Sequence, residues 1–263
     1  DAIFLERGQV HRAPWWGVSI NEDNITYSAY GEGEKPVITK VPENSAREEC
    51  WELYYEGPNG EKIWKFYQDV GDVAGIIFDD ESYAKRIYEY PTKSGQWNTL
   101  DIHWFDPAGG DKHEDSISPA HLTDTGEPSV IEEALTEDLA YITRVKEPYK
   151  LGPLKGGKGP LYLRCDTGNP GEQYQDIEVI AFNDSCGLFC VWGADCFVLD
   201  NLNIKYFTQD AVFSDSLRAG KGGIIQNCVF EWGAARLNEL RSDPLIGEFL
   251  YGNSIGNTVN DVT

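Results

Sequence analysis

The feature that most constrains this chain is an internal offset of 26 residues, which sets residues 197–206 above residues 223–232. Leu199 meets Ile225, Asn201 meets Asn227, Leu202 meets Cys228, Ile204 meets Phe230 and Tyr206 meets Trp232. Both rows alternate apolar and polar residues, slip phase at the asparagine, then alternate again. A chain does this when it turns a corner and keeps one face inward. A repeat of this length with its apolar set preserved signals stacked solenoid turns. Asn suits the corner because its short amide tolerates left-handed backbone, and stacked Asn side chains are expected to hydrogen-bond up the stack. Residues 177–180 and 188–192 supply earlier strands, and 211–213 closes the turn between the two rows. About three short strands per turn predict an all-β fold, a right-handed parallel β-helix. An ordinary β-sandwich with a chance match is the competing reading.

The opening of the chain has the same texture, with strands expected over 2–5, 25–30 and 37–38. Residues 41–160 differ: they hold Trp51, Trp64, Trp97 and Trp104, many acids and no repeat. There, 64–67, 75–78 and 85–88 read as antiparallel strands, 101–121 as a polar loop and 150–160 as a Gly/Pro/Lys hinge. Helical periodicity is confined to 129–139. The expected organisation is β-helix turns over 1–40, an inserted β-rich subdomain over 41–160, and β-helix turns over 161–263 that break off at the C-terminal end.

Charge excludes whole classes. The 263 residues carry 44 acidic and 22 basic side chains, a net charge of −22, which disfavours nucleic acid and anionic membranes as partners. No run approaches the ~20 apolar residues of a membrane span. The chain has no methionine and opens on Asp1, so it is expected to be part of a longer protein. Six cysteines are too few for a stapled framework in a chain this long, and free thiols are expected.

Several stretches resemble one family. Residues 3–8 and 25–38 resemble the opening turns of bacterial pectin-lyase-like β-helix proteins. Residues 161–163 with Gly168, Asn169, Pro170 and Gly171, then 199–206 and 225–233, are similar to later landmarks of that group. The resemblance implies a secreted bacterial protein that acts on a polysaccharide or oligosaccharide. Relatives often carry His-Gly near Gln209, and this chain has no His after His121.

Glycoside hydrolysis needs two carboxyls across the scissile bond, one protonated and one ionised. Asp210 and Asp215 bracket the strand at 211–214, and Glu231 lies beside Trp232; these three are the catalytic candidates. Trp192 is the candidate sugar platform. A lyase needs a cation to neutralise a uronate and a base for the α-proton. The resemblance implies Lys or Arg as that base and Ca²⁺ as the frequent cation, with Arg218, Lys221 and Arg236 as the candidate substrate contacts. Hydrolysis requires no cofactor, and the sequence marks no metal ligands. A non-catalytic carbohydrate-binding or surface protein is the third reading. Gly152 to Gly159 nearly spells a phosphate loop, but it lacks the Ser or Thr after Lys158 and runs into Pro160. His103, Asp106, Asp111, His113, Glu114, Asp115 and His121 match no rigid metal spacing and read as a solvated loop.

Overall fold

The computed structural model describes residues 1–14, 16–71, 73–91, 97–102, 123–124, 130–144, 158–181, 187–207, 210–214, 221–233, 250–251 and 258–260. The protein is mostly β and divides into two compact units. The first comprises Asp1–Pro42, Asp184–Ala235 and Leu245–Thr263; the second comprises Glu43–Asn183 and Arg236–Pro244.

The first unit opens with β1 (Ala2–Glu6), β2 (Val10–Arg12), β3 (Val18–Ile20), β4 (Thr26–Tyr30) and β5 (Val37–Thr39). The second unit follows with β6 (Trp51–Glu56), β7 (Lys62–Phe66), β8 (Val73–Phe78), β9 (Ser82–Tyr83), β10 (Lys85–Pro91), β11 (Trp97–Ile102), β12 (Thr123–Asp124), β13 (Ala140–Thr143), β14 (Leu161–Arg164) and β15 (Ile177–Ala181). The chain then returns to the first unit as β16 (Gly187–Val191), β17 (Val198–Asp200), β18 (Asn203–Lys205), β19 (Asp210–Ser214), β20 (Ile224–Gln226), β21 (Val229–Glu231), β22 (Leu250–Tyr251) and β23 (Thr258–Asn260).

Among the described residues every strand pairing in the first unit is parallel. One sheet runs β1-β4-β17-β20-β23, a second β2-β5-β18-β21 and a third β3-β16-β19-β22. In chain order the strands enter these three sheets in strict rotation, first, second, third, then first again. The register repeats the offset read in the sequence: Leu199 pairs with Ile225 and Ile204 with Phe230. The inward rows build one core, in which Tyr27, Ile38, Phe189, Leu199, Leu202, Ile204, Ile225 and Cys228 are buried.

The phase slip is a corner. Asn201 and Asn227 both adopt left-handed backbone, with φ of 62° and 52°. The expected Asn-to-Asn ladder is replaced by a mixed one. Asn227 Nδ2 donates to Asp200 Oδ1 at 2.8 Å, and Ser28 Oγ donates to Asp200 Oδ2 at 3.1 Å. A carboxylate accepts from both sides, whereas an amide must present its NH₂ and its oxygen in opposite directions. The expected strands also stop before Tyr206 and Trp232, which turn left-handed, both at φ 54°. Between the rows, Gly223 underlies Phe197: a Cβ there would meet that ring at 2.2 Å.

The second unit is differently built. Its larger sheet runs β12-β11-β10-β13-β14-β7-β6, antiparallel except for the parallel pair β10–β13. The strand expected at 85–88 is therefore antiparallel to only one neighbour. A smaller antiparallel sheet runs β15-β8-β9. Residues 177–180, expected among the parallel strands, belong here, because Ile177 and Val179 bury with Val73, Ile76 and Phe78 in this unit's core. The second unit accordingly extends to Asn183, past the expected boundary at 160. The helix expected over 129–139 shrinks to Ile131–Ala134. Its N-cap Val130 offers no side-chain acceptor, and Leu139 turns left-handed at φ 57°. No helix among the described residues is long and apolar enough to cross a membrane.

Candidate functional site

Of the nominated residues, Trp192, Asp210, Lys221 and Glu231 are among the described ones, on or beside the three parallel sheets. On the third sheet, Phe189, Val191 and Val212 face the core. Phe213 alternates with Val212 and so turns to the other side. Trp192 follows β16 directly, its N–H donating to Ile20 O at 2.9 Å. Its ring meets Phe213 edge-on, with centroids 5.8 Å apart and planes at 62°. Asp210 opens the strand that carries Phe213, with its Cα in register with Gly187. The third sheet thus brings Asp210, Phe213 and Trp192 onto neighbouring strands. Asp215, Arg218 and Arg236 lie outside the described residues.

Glu231 is on the second sheet, in register with Lys205. Its Oε2 accepts from Lys205 Nζ at 2.8 Å and from Asn203 Nδ2 at 3.0 Å. The lysine side chain is 9% exposed and the glutamate 42%, so a largely desolvated ammonium is neutralised by a carboxylate open to water.

Lys221 sits at the corner entering β20. Its N–H donates to Asp195 Oδ1 at 2.7 Å, and its carbonyl accepts from Cys196 N at 2.7 Å. Asp195 N in turn donates to Asp23 Oδ1 at 2.7 Å. Asp23 and Asp195 occupy one corner in successive passes, each holding the N–H of the pass above. The residues that follow, Asn24, Cys196 and Gly222, are all left-handed, with φ of 58°, 57° and 69°. The Lys221 position is therefore fixed through its backbone, with the residue exposed.

The sequence reading missed Asp200, held by Ser28 and Asn227. Its signal was available as a polar residue just before each corner asparagine, Asp200 in one row and Gln226 in the other. It also missed an exposed trio in the second unit. Tyr67 OH donates to one oxygen of Glu43, and Arg47 NH2 donates to the other at 2.6 Å. That bond to the carboxylate pushes the Tyr67 phenol up to about 12. On β14 of the same unit, Arg164 grips Asp166 through Nε and NH2 at 2.9 Å each. Burial works against the Asp166 carboxylate, but the bonds from Arg164 and from Lys62 N outweigh it and hold its pKa below the usual range.

Among the described residues no three His, Cys, Asp or Glu side chains converge as a metal cage. Of the described cysteines, Cys50, Cys165 and Cys228 are buried free thiols, Cys196 is an exposed one, and Cys190 is buried. His103 to His121 and the loop 151–157 lie outside the described residues. No family model matches the chain, and neither a curated protein nor a solved structure does.

Proposed function

We propose that the first unit is a right-handed parallel β-helix and that the protein is a secreted bacterial polysaccharide-degrading enzyme, a glycoside hydrolase of neutral glycans. The rotation of strands through three parallel sheets supports the fold, and right-handed crossovers are the rule for parallel strands. Stacked turns present long faces suited to an extended polymer. Fold alone does not choose a reaction, so the reaction rests on the third sheet.

The observation that carries it is the Trp192–Phe213 pair beside the strand opened by Asp210. Aromatic faces pack on the C–H face of a pyranose, and Asp210 opens the strand that carries Phe213. In this reading Asp210 and Asp215 are the carboxyl pair. Glu231, tied to Lys205 and Asn203, holds the second sheet together. Lys221, Arg218 and Arg236 supply substrate contacts. The net charge of −22 supports a neutral glycan over a polyuronate, which such a surface repels.

The test is product analysis on a panel of neutral and uronate-containing glycans. Wild-type protein should release reducing sugar from a neutral glycan, and Asp210→Asn and Asp215→Asn should each abolish that release. Products carrying the ultraviolet band of unsaturated uronides would replace hydrolysis with lyase chemistry. Glycan retention without any product would leave a binding protein.

A further inference from the structure

The hairpin that joins β6 to β7 carries the one Asn-Gly step in the chain, Asn59-Gly60. Its loop is tight. Gly57 N donates to Glu61 O at 2.8 Å, and Gly60 N donates to Gly57 O at 3.2 Å. Pro58 and Asn59 are thus the central residues of a turn, and Gly60 follows in left-handed backbone at φ 94°. Asn59 and Gly60 are both exposed. One carboxylate folds back over them. Glu61 Oε2 accepts from Asn59 N at 2.9 Å, and Glu61 Oε1 accepts from Asn59 Nδ2 at 2.9 Å. Gly57 makes room for it, since a Cβ there would collide with Glu61 Oε2. The bond from Asn59 Nδ2 leads those that hold the Glu61 carboxyl below its usual range, so the carboxylate is ionised and accepting at neutral pH. Asn44, which precedes Ser45, is a contrast. Its Oδ1 accepts from Ala46 N and Ile177 N, and Ser45 is 1% exposed with its N–H on Ile177 O.

We propose that Asn59 is a modification site, converting spontaneously to isoaspartate with water as the only co-reactant, and that Glu61 is the latch that slows the conversion. Gly60 is the neighbour this chemistry needs, because without a Cβ its nitrogen is open to the Asn59 side chain. Gly60 N gives its proton to solvent and attacks Asn59 Cγ. The Cγ–Nδ2 bond breaks, Nδ2 takes up a proton and leaves as ammonia, and a five-membered imide closes. Water then opens the imide at either carbonyl. One opening gives aspartate, the other isoaspartate, with the main chain rerouted through the former side chain. Nothing is oxidised or reduced. The closed loop opposes ring closure twice, because Gly60 N–H is engaged by Gly57 O and Asn59 Nδ2 is tied to Glu61. Closure must turn the Asn59 side chain onto Gly60 N and so break its bond to Glu61. Once ammonia has left, Glu61 Oε1 has lost that donor and faces a new carboxylate, so the loop cannot latch again. None of the proposed catalytic or substrate-contacting residues takes part.

The experiment ages the full chain in mildly alkaline buffer and follows the tryptic peptide 48–62, whose only side-chain amide is Asn59, by chromatography and mass spectrometry. That peptide should gain one dalton and split into two products, isoaspartate and aspartate. The adjacent peptide 41–47, which holds Asn44, should stay unchanged. Glu61→Ala should speed the gain about fivefold, the factor that one net hydrogen bond carries, and Glu61→Gln should speed it less. Asn59→Gln should remove it. In urea, where no loop is latched, wild type and Glu61→Ala should react at one rate, faster than the folded wild type. An unreacted peptide 48–62, or one that reacts no faster than 41–47, overturns the site. Equal rates for the folded wild type and a Glu61→Ala protein with native circular dichroism overturn the latch, as does a difference between the two that persists in urea.

Discussion

Asn169 is the most economical place to test how the second unit is held together. It is 8% exposed and spends its amide three ways. Its Oδ1 accepts from Gly171 N at 2.9 Å and so caps the short helix Pro170–Gln173. Its Nδ2 donates to Glu48 O at 3.2 Å and Trp51 O at 3.0 Å, which ties that turn to the start of β6. Replacing Asn169 with Ala strands one N–H and two carbonyls. At about 1 kcal/mol net per hydrogen bond the loss is about 3 kcal/mol, with the cap alone accounting for about 1. Water reaches the Glu48 carbonyl more readily than that of Trp51, which is 3% exposed. The expected loss is therefore about 2–3 kcal/mol, or a fall in Tm of roughly 4–12 °C. Asn169→Asp keeps the one accepted bond but loses both donated ones and turns a carboxylate oxygen toward the two carbonyls, so it should fall at least about two-thirds as far. Gly171→Ala attacks the same contact from the other side, since a Cβ there would come 2.2 Å from the Arg47 carbonyl. Urea unfolding followed by circular dichroism reads all three. An Asn169→Ala protein with an unchanged midpoint and slope would refute the reasoning.

Two further outcomes follow from other contacts. Gly223→Ala should destabilise the first unit by about 1–3 kcal/mol, because Phe197 is 2% exposed and has nowhere to retreat; thermal unfolding measures it, and Phe197→Leu in the same chain should recover part of the loss. Asp166 is held below its ordinary pKa in the fold, so its contribution is complete above the unfolded value of about 3.9 and fades as pH falls through the lower folded value. Asp166→Asn should therefore narrow the difference in stability between pH 6 and pH 2, about the two ends of that window, in an acid titration monitored by fluorescence.

The parallel unit was legible because its physics is local and repeated. Each pass presents the same inward row, so Leu199 over Ile225 and Ile204 over Phe230 could be read from spacing alone. The left-handed corner at Asn201 and Asn227 was legible for the same reason, since few residues tolerate that backbone. The second unit offered no such repeat. Residues 177–180 are as apolar as any strand of the first unit, and nothing local shows that their partner is β8, about a hundred residues earlier in the chain. The partner of Glu231 was equally hidden, because nothing in a carboxylate beside an aromatic shows that a buried lysine stands opposite it.

The sequence by itself determined the inward rows, their offset and the corners, because side-chain alternation and backbone sterics act over a few residues. Only the tertiary structure decided which strands pair across the long excursion between β5 and β16. It also decided that Asp200, not a second asparagine, carries the corner ladder, and that Lys205 claims Glu231. Those choices depend on desolvation and on which acceptor stands opposite each donor, and both exist only once distant segments are packed.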